Sequence, residues 1–201
     1  MLKYPAVVQK DGRLSVGGSQ MWIEDKRLQS SACGVVAGCD IVLKKQGIDT
    51  IDRKDYMQRI AEAAGYIKPV NLPFKVKPVK TKLGIFRGSF GVPFGRFKRG
   101  VRALAAKYNI DVRVKRFGFK KLPGYLSEGY PVTLLIHAPF GNVRLIPQDD
   151  GRKTEKVGFH WVTVLGQTDE ALQVSSWGRL YYIPTADLKK FTVGTVFCAV
   201  V

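Results

Sequence analysis

The stretch SSACGVVAGCDIVLKKQG, from Ser30 to Gly47, carries two of the chain's three cysteines, and Cys33 stands where a helix should begin. Cysteine catalysis needs a thiol that ionises readily, a histidine within hydrogen-bond reach and donors for an oxyanion. The unpaired amides and the dipole of a helix's first turn favour thiolate over thiol, which would suit Cys33. Position alone leaves a second reading open, because a single cysteine on an apolar helix face is more often core than catalyst. Cys39, on the apolar stripe of the same helix, and Cys198, in an apolar strand, take that core reading. The two histidines divide similarly. His160 opens the run HWVTVLG at the start of a strand, and His137 lies inside LLIHAPF. Taken singly both read as core histidines, His137 more firmly. Three cysteines without CxxC spacing and two histidines point to neither a disulfide framework nor a zinc site, so no metal and no cofactor is expected.

The elements that would position these residues follow from periodicity. Residues 1 to 32 read as irregular. Ser30 or Ser31 would cap a helix over Ala32 to Gln46, with Val35, Val36, Cys39, Val42 and Leu43 as its apolar stripe and Gly47 as its stop. A second helix fits Arg53 to Ala64 and a third Arg96 to Tyr108. Between them, residues 67 to 95 alternate Pro, Lys and Gly, which excludes a helix and predicts a long loop or short extended pieces. The pattern then changes to short β runs: DVRVKRF, PVTLLIHA, HWVTVLG, LQVSSWG, LYYI and the closing TVGTVFCAVV, with QTDEA as a hairpin turn. Helices first and an antiparallel sheet second predict an α+β domain. A chain of 201 residues, 45% of them hydrophobic, can bury one sizeable core, so a single domain over 1–201 is expected.

In combination the residues resemble a known family. GGSQMW precedes SSACG; EGYPVTLLIHA precedes FHWVTVLG; VSSWG follows. Gln, then Cys at a helix start, His at a strand start and a polar residue before Trp-Gly resembles the papain-like cysteine peptidases. Within these the chain is most similar to the bacterial peptidases that cut double-glycine leader peptides and to their stand-alone relatives. The resemblance covers roughly residues 14 to 46 and 119 to 201, and leaves 67 to 118 as a basic, Pro/Gly-rich insertion. It implies a papain-like fold in which N-terminal helices, one of them catalytic and central, pack on a C-terminal antiparallel sheet. It implies a peptide or protein substrate cut after small residues. It also implies roles: Cys33 as nucleophile, His160 as its proton partner in a thiolate–imidazolium pair, and Gln20 with the Cys33 N–H as oxyanion donors. Ser175 falls at the position that orients the histidine, where the family has Asp or Asn. Its hydroxyl can accept from an imidazole N–H but brings no charge, and Ser176 is beside it. Trp177 would shield the pair from water, and Gly34 would lie along the substrate. Gln20 precedes Cys33 by thirteen residues, so the segment between them must loop out; Glu24 and Asp25 there read as solvated.

Charge supplies a rival reading. Sixteen of the 33 Lys/Arg lie between Lys68 and Lys121, where Asp111 is the only acid; the other seventeen face fifteen acidic residues, so the net charge of +17 belongs to the middle of the chain. Such a segment attracts polyanions. Phe74, Phe86, Phe90, Phe94, Phe97, Phe117 and Phe119 are interleaved with it, as single-stranded nucleic acid would require. Anionic cell-wall polymer would suit it equally, and the plainer expectation is that most of these rings anchor a loop on the core. The alternatives to a peptidase are thus a peptidoglycan-directed amidase or endopeptidase of similar fold, and a non-catalytic papain-like protein binding nucleic acid or another polyanion. No apolar run approaches the roughly 18 residues of a membrane span, and the first residues lack the apolar core of a secretory signal. A cytoplasmic location is therefore expected, or a secreted one had a signal been removed.

Overall fold

The computed structural model describes residues 4–71, 79–81, 84–86, 90–138, 143–149, 153–190 and 196–201. In chain order, β1 (Ala6–Val8) and β2 (Leu14–Val16) are followed by a 3-10 turn (Gln20–Trp22), α1 (Lys26–Gln29), α2 (Cys33–Lys45), β3 (Thr50–Asp52) and α3 (Arg53–Tyr66). Then come β4 (Val79–Thr81), β5 (Gly84–Phe86), α4 (Phe94–Lys107), β6 (Val114–Phe117), a 3-10 turn (Phe119–Lys121), α5 (Leu122–Ser127) and β7 (Val132–His137). The rest is β8 (Val143–Pro147), β9 (Glu155–Val157), β10 (Phe159–Gln167), β11 (Ala171–Ser176), β12 (Arg179–Pro184), α6 (Thr185–Lys190) and β13 (Val196–Val200).

Eight strands form one antiparallel sheet in the order β6-β13-β7-β10-β11-β12-β8-β9. Alternation along each strand gives the sheet two apolar faces. One, with Leu135, Trp161, Leu165 and Cys198, packs on the helices; the other, with Leu134, Ile136, Val162, Val164 and Val174, forms a second cluster with Leu122 and Leu188. The long α2 runs through the first cluster and touches β10, α3 and α4. Every residue from Cys33 to Leu43 is buried, which is why its sequence is apolar nearly all round. Trp161 is stacked on Phe97 of α4, ring centroids 4.0 Å apart, and its indole N–H donates to Val92 O at 2.7 Å.

Periodicity located the three long helices and six of the sheet strands; it read less of the N-terminus. Residues 6–8, 14–16 and 50–52 form a three-stranded sheet, with β1 antiparallel to β2 and parallel to β3. Strands of three residues are too short to leave a period. Tyr4 ties this end to the large sheet, its hydroxyl accepting from Val132 N at 2.9 Å and donating to Val132 O at 3.3 Å. Ser30 and Ser31 do not cap α2. Ser30 Oγ donates to Arg27 O at 2.8 Å and Ser31 Oγ to Arg27 O at 3.2 Å, because α1 has carbonyls to satisfy. Among the described residues no side chain caps the first turn of α2. His137, expected in the core, is exposed at the end of β7, its ring edge-on to Phe159 at 5.8 Å.

Of the basic stretch 67–118, α4 packs on α2 and α3, and β6 is an edge strand of the large sheet. Val70 pairs with the far end of the loop: Phe90 N donates to Val70 O and Val70 N to Gly91 O, both at 2.8 Å. Phe97 and Phe117 are buried and Phe94 and Phe119 half-buried, as anchoring rings would be, while Phe90 is 56% exposed. Phe74 and the side chain of Phe86 lie outside the described residues.

Candidate active site

One cleft is lined by Gln20, Cys33, His160, Ser175, Ser176 and Trp177. Three remote parts of the chain meet there: the 3-10 turn, the start of α2, and the β10–β11 pair with the turn that follows β11. Of the residues singled out by sequence, Gly34 is not part of the lining. It is packed where a Cβ would come within 2.7 Å of Val92 Cβ and 3.0 Å of Trp161 Cδ1, so its role is to let α2 approach that wall.

Cys33 is the first residue of α2 and is buried. Desolvation pushes its thiol pKa up; the backbone N–H groups of Trp161, Gly34 and Cys33 itself pull the other way. The Trp161 contact sets the thiol beside the residue that follows His160. His160 is buried too, and desolvation lowers its pKa to about 4. Burial thus works against the charged form of both groups.

His160 Nε2 is hydrogen-bonded to Ser176 Oγ at 2.7 Å. Ser175, the expected partner, instead donates its hydroxyl to Val16 O at 2.5 Å. Strand alternation explains the difference. Ser175 is paired with Thr163 and shares the helix-side face with Trp161, whereas Ser176 has the parity of His160, Val162 and Val174. Beyond Ser176, Trp177 (φ 50°) and Gly178 (φ 75°) form a tight turn before Arg179. Positive φ at both central positions matches the right-handed twist of a hairpin. Trp177 is held in that conformation by its neighbours: it is stacked on His160 at 4.6 Å and meets Tyr181 edge-on at 5.6 Å.

Gln20 opens the 3-10 turn, whose Met21 N–H is capped by Ser19 Oγ at 3.2 Å. The thirteen-residue gap to Cys33 is taken up by that turn and by α1, capped by exposed Asp25, whose carboxylate accepts from Arg27 N at 2.8 Å. Glu24 is exposed. Gln29 closes the excursion: Gln20 Nε2 donates to Gln29 O at 2.9 Å, and Gln29 Nε2 donates to Ile23 O at 2.8 Å. Nε2 carries a second amide proton, and among the described residues Oε1 is buried without a partner.

Sequence reasoning passed over Asp40. It lies seven residues beyond Cys33 on α2, is 2% exposed and lines the same cleft. Its Oδ1 accepts from Tyr56 OH at 2.7 Å and from Gly18 N at 3.2 Å. Burial raises its pKa to about 7, against the opposing pull of the Tyr56 and Gly18 hydrogen bonds. The available signal was an acid two helical turns from Cys33 on an otherwise apolar helix.

Among the described residues, no three His, Cys, Asp or Glu side chains are grouped to hold a metal ion, and no helix is long and apolar enough to cross a membrane. No protein-family model matches the sequence, and no curated protein is significantly similar to it. The chain is similar in structure to a Bacillus anthracis protein whose crystal structure is described as that of a "putative C39-like peptidase", with a TM-score of 0.52 over 92% of this chain and 94% of that one. At 17% identity the likeness is one of fold: both combine helices with a large antiparallel sheet.

Proposed function

We propose that the chain is a cysteine-dependent hydrolase of peptide or amide bonds, with Cys33 as nucleophile, His160 as proton acceptor and donor, and Gln20 with the Cys33 N–H as oxyanion donors. The observation that carries this reading is the shared cleft, to which three segments remote in sequence bring Gln20, Cys33 and His160. The fold likeness to a C39-like peptidase agrees with it, as does the resemblance that favours small residues before the cut. We take the whole of 1–201 as one peptidase domain carrying its basic insertion.

Since Nε2 of His160 is held by Ser176, Nδ1 is the nitrogen left to face the thiol. Burial works against a charge on either partner, so in this reading proton transfer accompanies attack. As the Sγ–C bond forms, the thiol proton passes to Nδ1 and the carbonyl π pair moves onto oxygen. Gln20 and the backbone N–H of Cys33 stabilise that oxyanion, and one such donor is worth about 3 kcal/mol of barrier. Collapse breaks the C–N bond, and the imidazolium protonates the leaving amine. A water then gives a proton to His160 and attacks the thioester carbonyl; the C–S bond breaks, the acid leaves, and the imidazolium returns its proton to Cys33. Ser176 holds the imidazole in register and Trp177 covers it from solvent.

The test is the rate of iodoacetamide alkylation, resolved by peptide mass, in wild type and His160→Ala across pH. Alkylation of Cys33 that outpaces Cys39 and Cys198 and drops with loss of His160 supports the pair. A slow thiol indifferent to His160 sinks it.

The cationic surface favours a second reading. Lys98, Arg99 and Arg102 on α4, with Lys115, Arg116 and Lys120 on and after β6, are exposed. In this reading a polyanion, nucleic acid or anionic cell-wall polymer, docks there; in the wall-directed form the cleft hydrolyses a wall peptide or amide. Binding to nucleic acid that falls steeply with salt, together with an inert Cys33, would favour the non-catalytic form.

A further inference from the structure

We propose that Asp40 is a positioning residue of this site: through the Gly18 N–H it holds the segment that presents Gln20 to the oxyanion. The inference rests on the peptidase reading above and names the group that keeps one of its donors in place.

Among the described residues two carboxylates are buried. Asp187 has the Arg144 guanidinium at 2.9 Å, whereas Asp40 is met by a phenol and a backbone amide and by no cation. A buried carboxyl without a cation is a cost that packing alone does not require. Its contacts explain what it does. The chain from Ser15 to Gly18 passes between α2 and the large sheet and is tied on each side. Val16 N donates to Gly178 O at 3.2 Å, Val16 O accepts from Ser175 Oγ, and Gly17 N donates to Pro5 O at 2.9 Å. On the helix side the tie is Asp40, with Gly18 N 3.2 and 3.3 Å from its two oxygens. The passage is narrow enough to require both glycines. Gly17 has φ +65°, and a Cβ there would lie 2.5 Å from Asp40 Oδ2; a Cβ on Gly18 would lie 1.8 Å from Tyr56 Oη. Two residues on, Gln20 lines the cleft beside Cys33.

Two probes of Cys33 separate positioning from general support. Iodoacetamide needs the thiol and its proton acceptor but no oxyanion donor. A peptidyl-glycinal also needs the oxyanion donors: the Sγ–C bond forms, the C=O π pair goes to oxygen, and the thiol proton ends on that oxygen. Aldehyde affinity is read as reversible protection of Cys33 from alkylation, resolved by peptide mass. Asp40→Ala is expected to weaken the aldehyde about tenfold or more while the alkylation rate without aldehyde stays within about twofold. Asp40→Asn keeps the Oδ1 acceptor and is expected to recover most of the loss. Gln20→Ala should reproduce the loss, and the double variant Asp40→Ala with Gln20→Ala should be no worse than either. Unchanged aldehyde affinity in Asp40→Ala, or losses that simply add, would overturn the inference. If Asp40→Ala does not fold, Asp40→Ser, polar but too short for Gly18, takes its place with the same outcomes. A wild-type Cys33 that takes no aldehyde and ignores His160 removes the peptidase reading and this inference with it. Aldehyde binding that depends on Gln20 but not on Asp40 removes this inference alone.

Discussion

His160 Nε2 meets Ser176 Oγ at 2.7 Å, while the adjacent Ser175 turns to the opposite face of β11 and donates to Val16 O. Adjacent serines in one strand therefore have unrelated jobs. Ser176→Ala removes a neutral hydrogen bond worth about 1 kcal/mol and should slow His160-dependent alkylation of Cys33 about fivefold at neutral pH. Ser175→Ala should leave that rate near wild type and instead lower the unfolding midpoint. The opposite ranking in alkylation would return the orienting role to Ser175.

Two buried groups make opposing contributions to stability against pH. His160 has a folded pKa of about 4 against 6.5 for the free side chain, so the unfolded chain binds more protons between those values. Stability from this group is present above pH 6.5 and is lost as pH falls towards 4. Asp40 has a folded pKa of about 7 against 3.8, so the folded chain binds more protons there, and stability is lost as pH rises from about 4 to 7. Each group contributes a slope of at most about 1.4 kcal/mol per pH unit, and the two slopes have opposite signs. In denaturant titrations from pH 4 to 7, His160→Gln minus wild type should grow more favourable as pH falls. Asp40→Asn minus wild type should grow more favourable as pH rises. Parallel profiles for both variants would contradict the burial of the two ionisable groups.

The helix that carries Cys33 was legible because its determinants are local. An apolar run ends at Gly47, which has the left-handed φ of +73° that a C-terminal stop requires. The strand that carries His160 was legible for the same reason. The choice between Ser175 and Ser176 was not, because it depends on the register of β11 against β10, and that register shifts between Val164 and Gly166. Asp40 was hidden because its partners, Gly18 and Tyr56, come from segments 22 and 16 residues away. The strands β8 and β9 were missed because their short runs, VRLIP and EKV, carry too few apolar positions to set a period.

Gly18 gives a purely steric prediction. A methyl group there would sit 1.8 Å from Tyr56 Oη and 2.1 Å from Tyr56 Cζ. Gly18→Ala should cost about 1–3 kcal/mol, the range for forcing extra volume into a packed site. Tyr56→Phe should not rescue it, because Cζ stays in place. Chemical denaturation of the two single variants and the double variant checks this; full rescue would mean that the hydroxyl alone sets the fit.

Trp177 couples a strained turn to the histidine beneath it. A bulky residue at φ 50° costs about 1–2 kcal/mol relative to glycine, and here the ring is retained over His160 at 4.6 Å. Trp177→Gly relieves the turn and uncovers the imidazole. With water admitted, the desolvation that holds His160 near 4 is lifted, so its pKa should move up towards 6.5. The thiol-specific reactivity of Cys33 should then fall off at a higher pH than in wild type, since a protonated imidazole cannot accept the thiol proton. Imidazole proton resonances followed against pH, with the alkylation profile of Cys33 alongside, test both halves. A His160 pKa that stays near 4 in Trp177→Gly would mean that the depth of the cleft, and not the indole, keeps the histidine neutral.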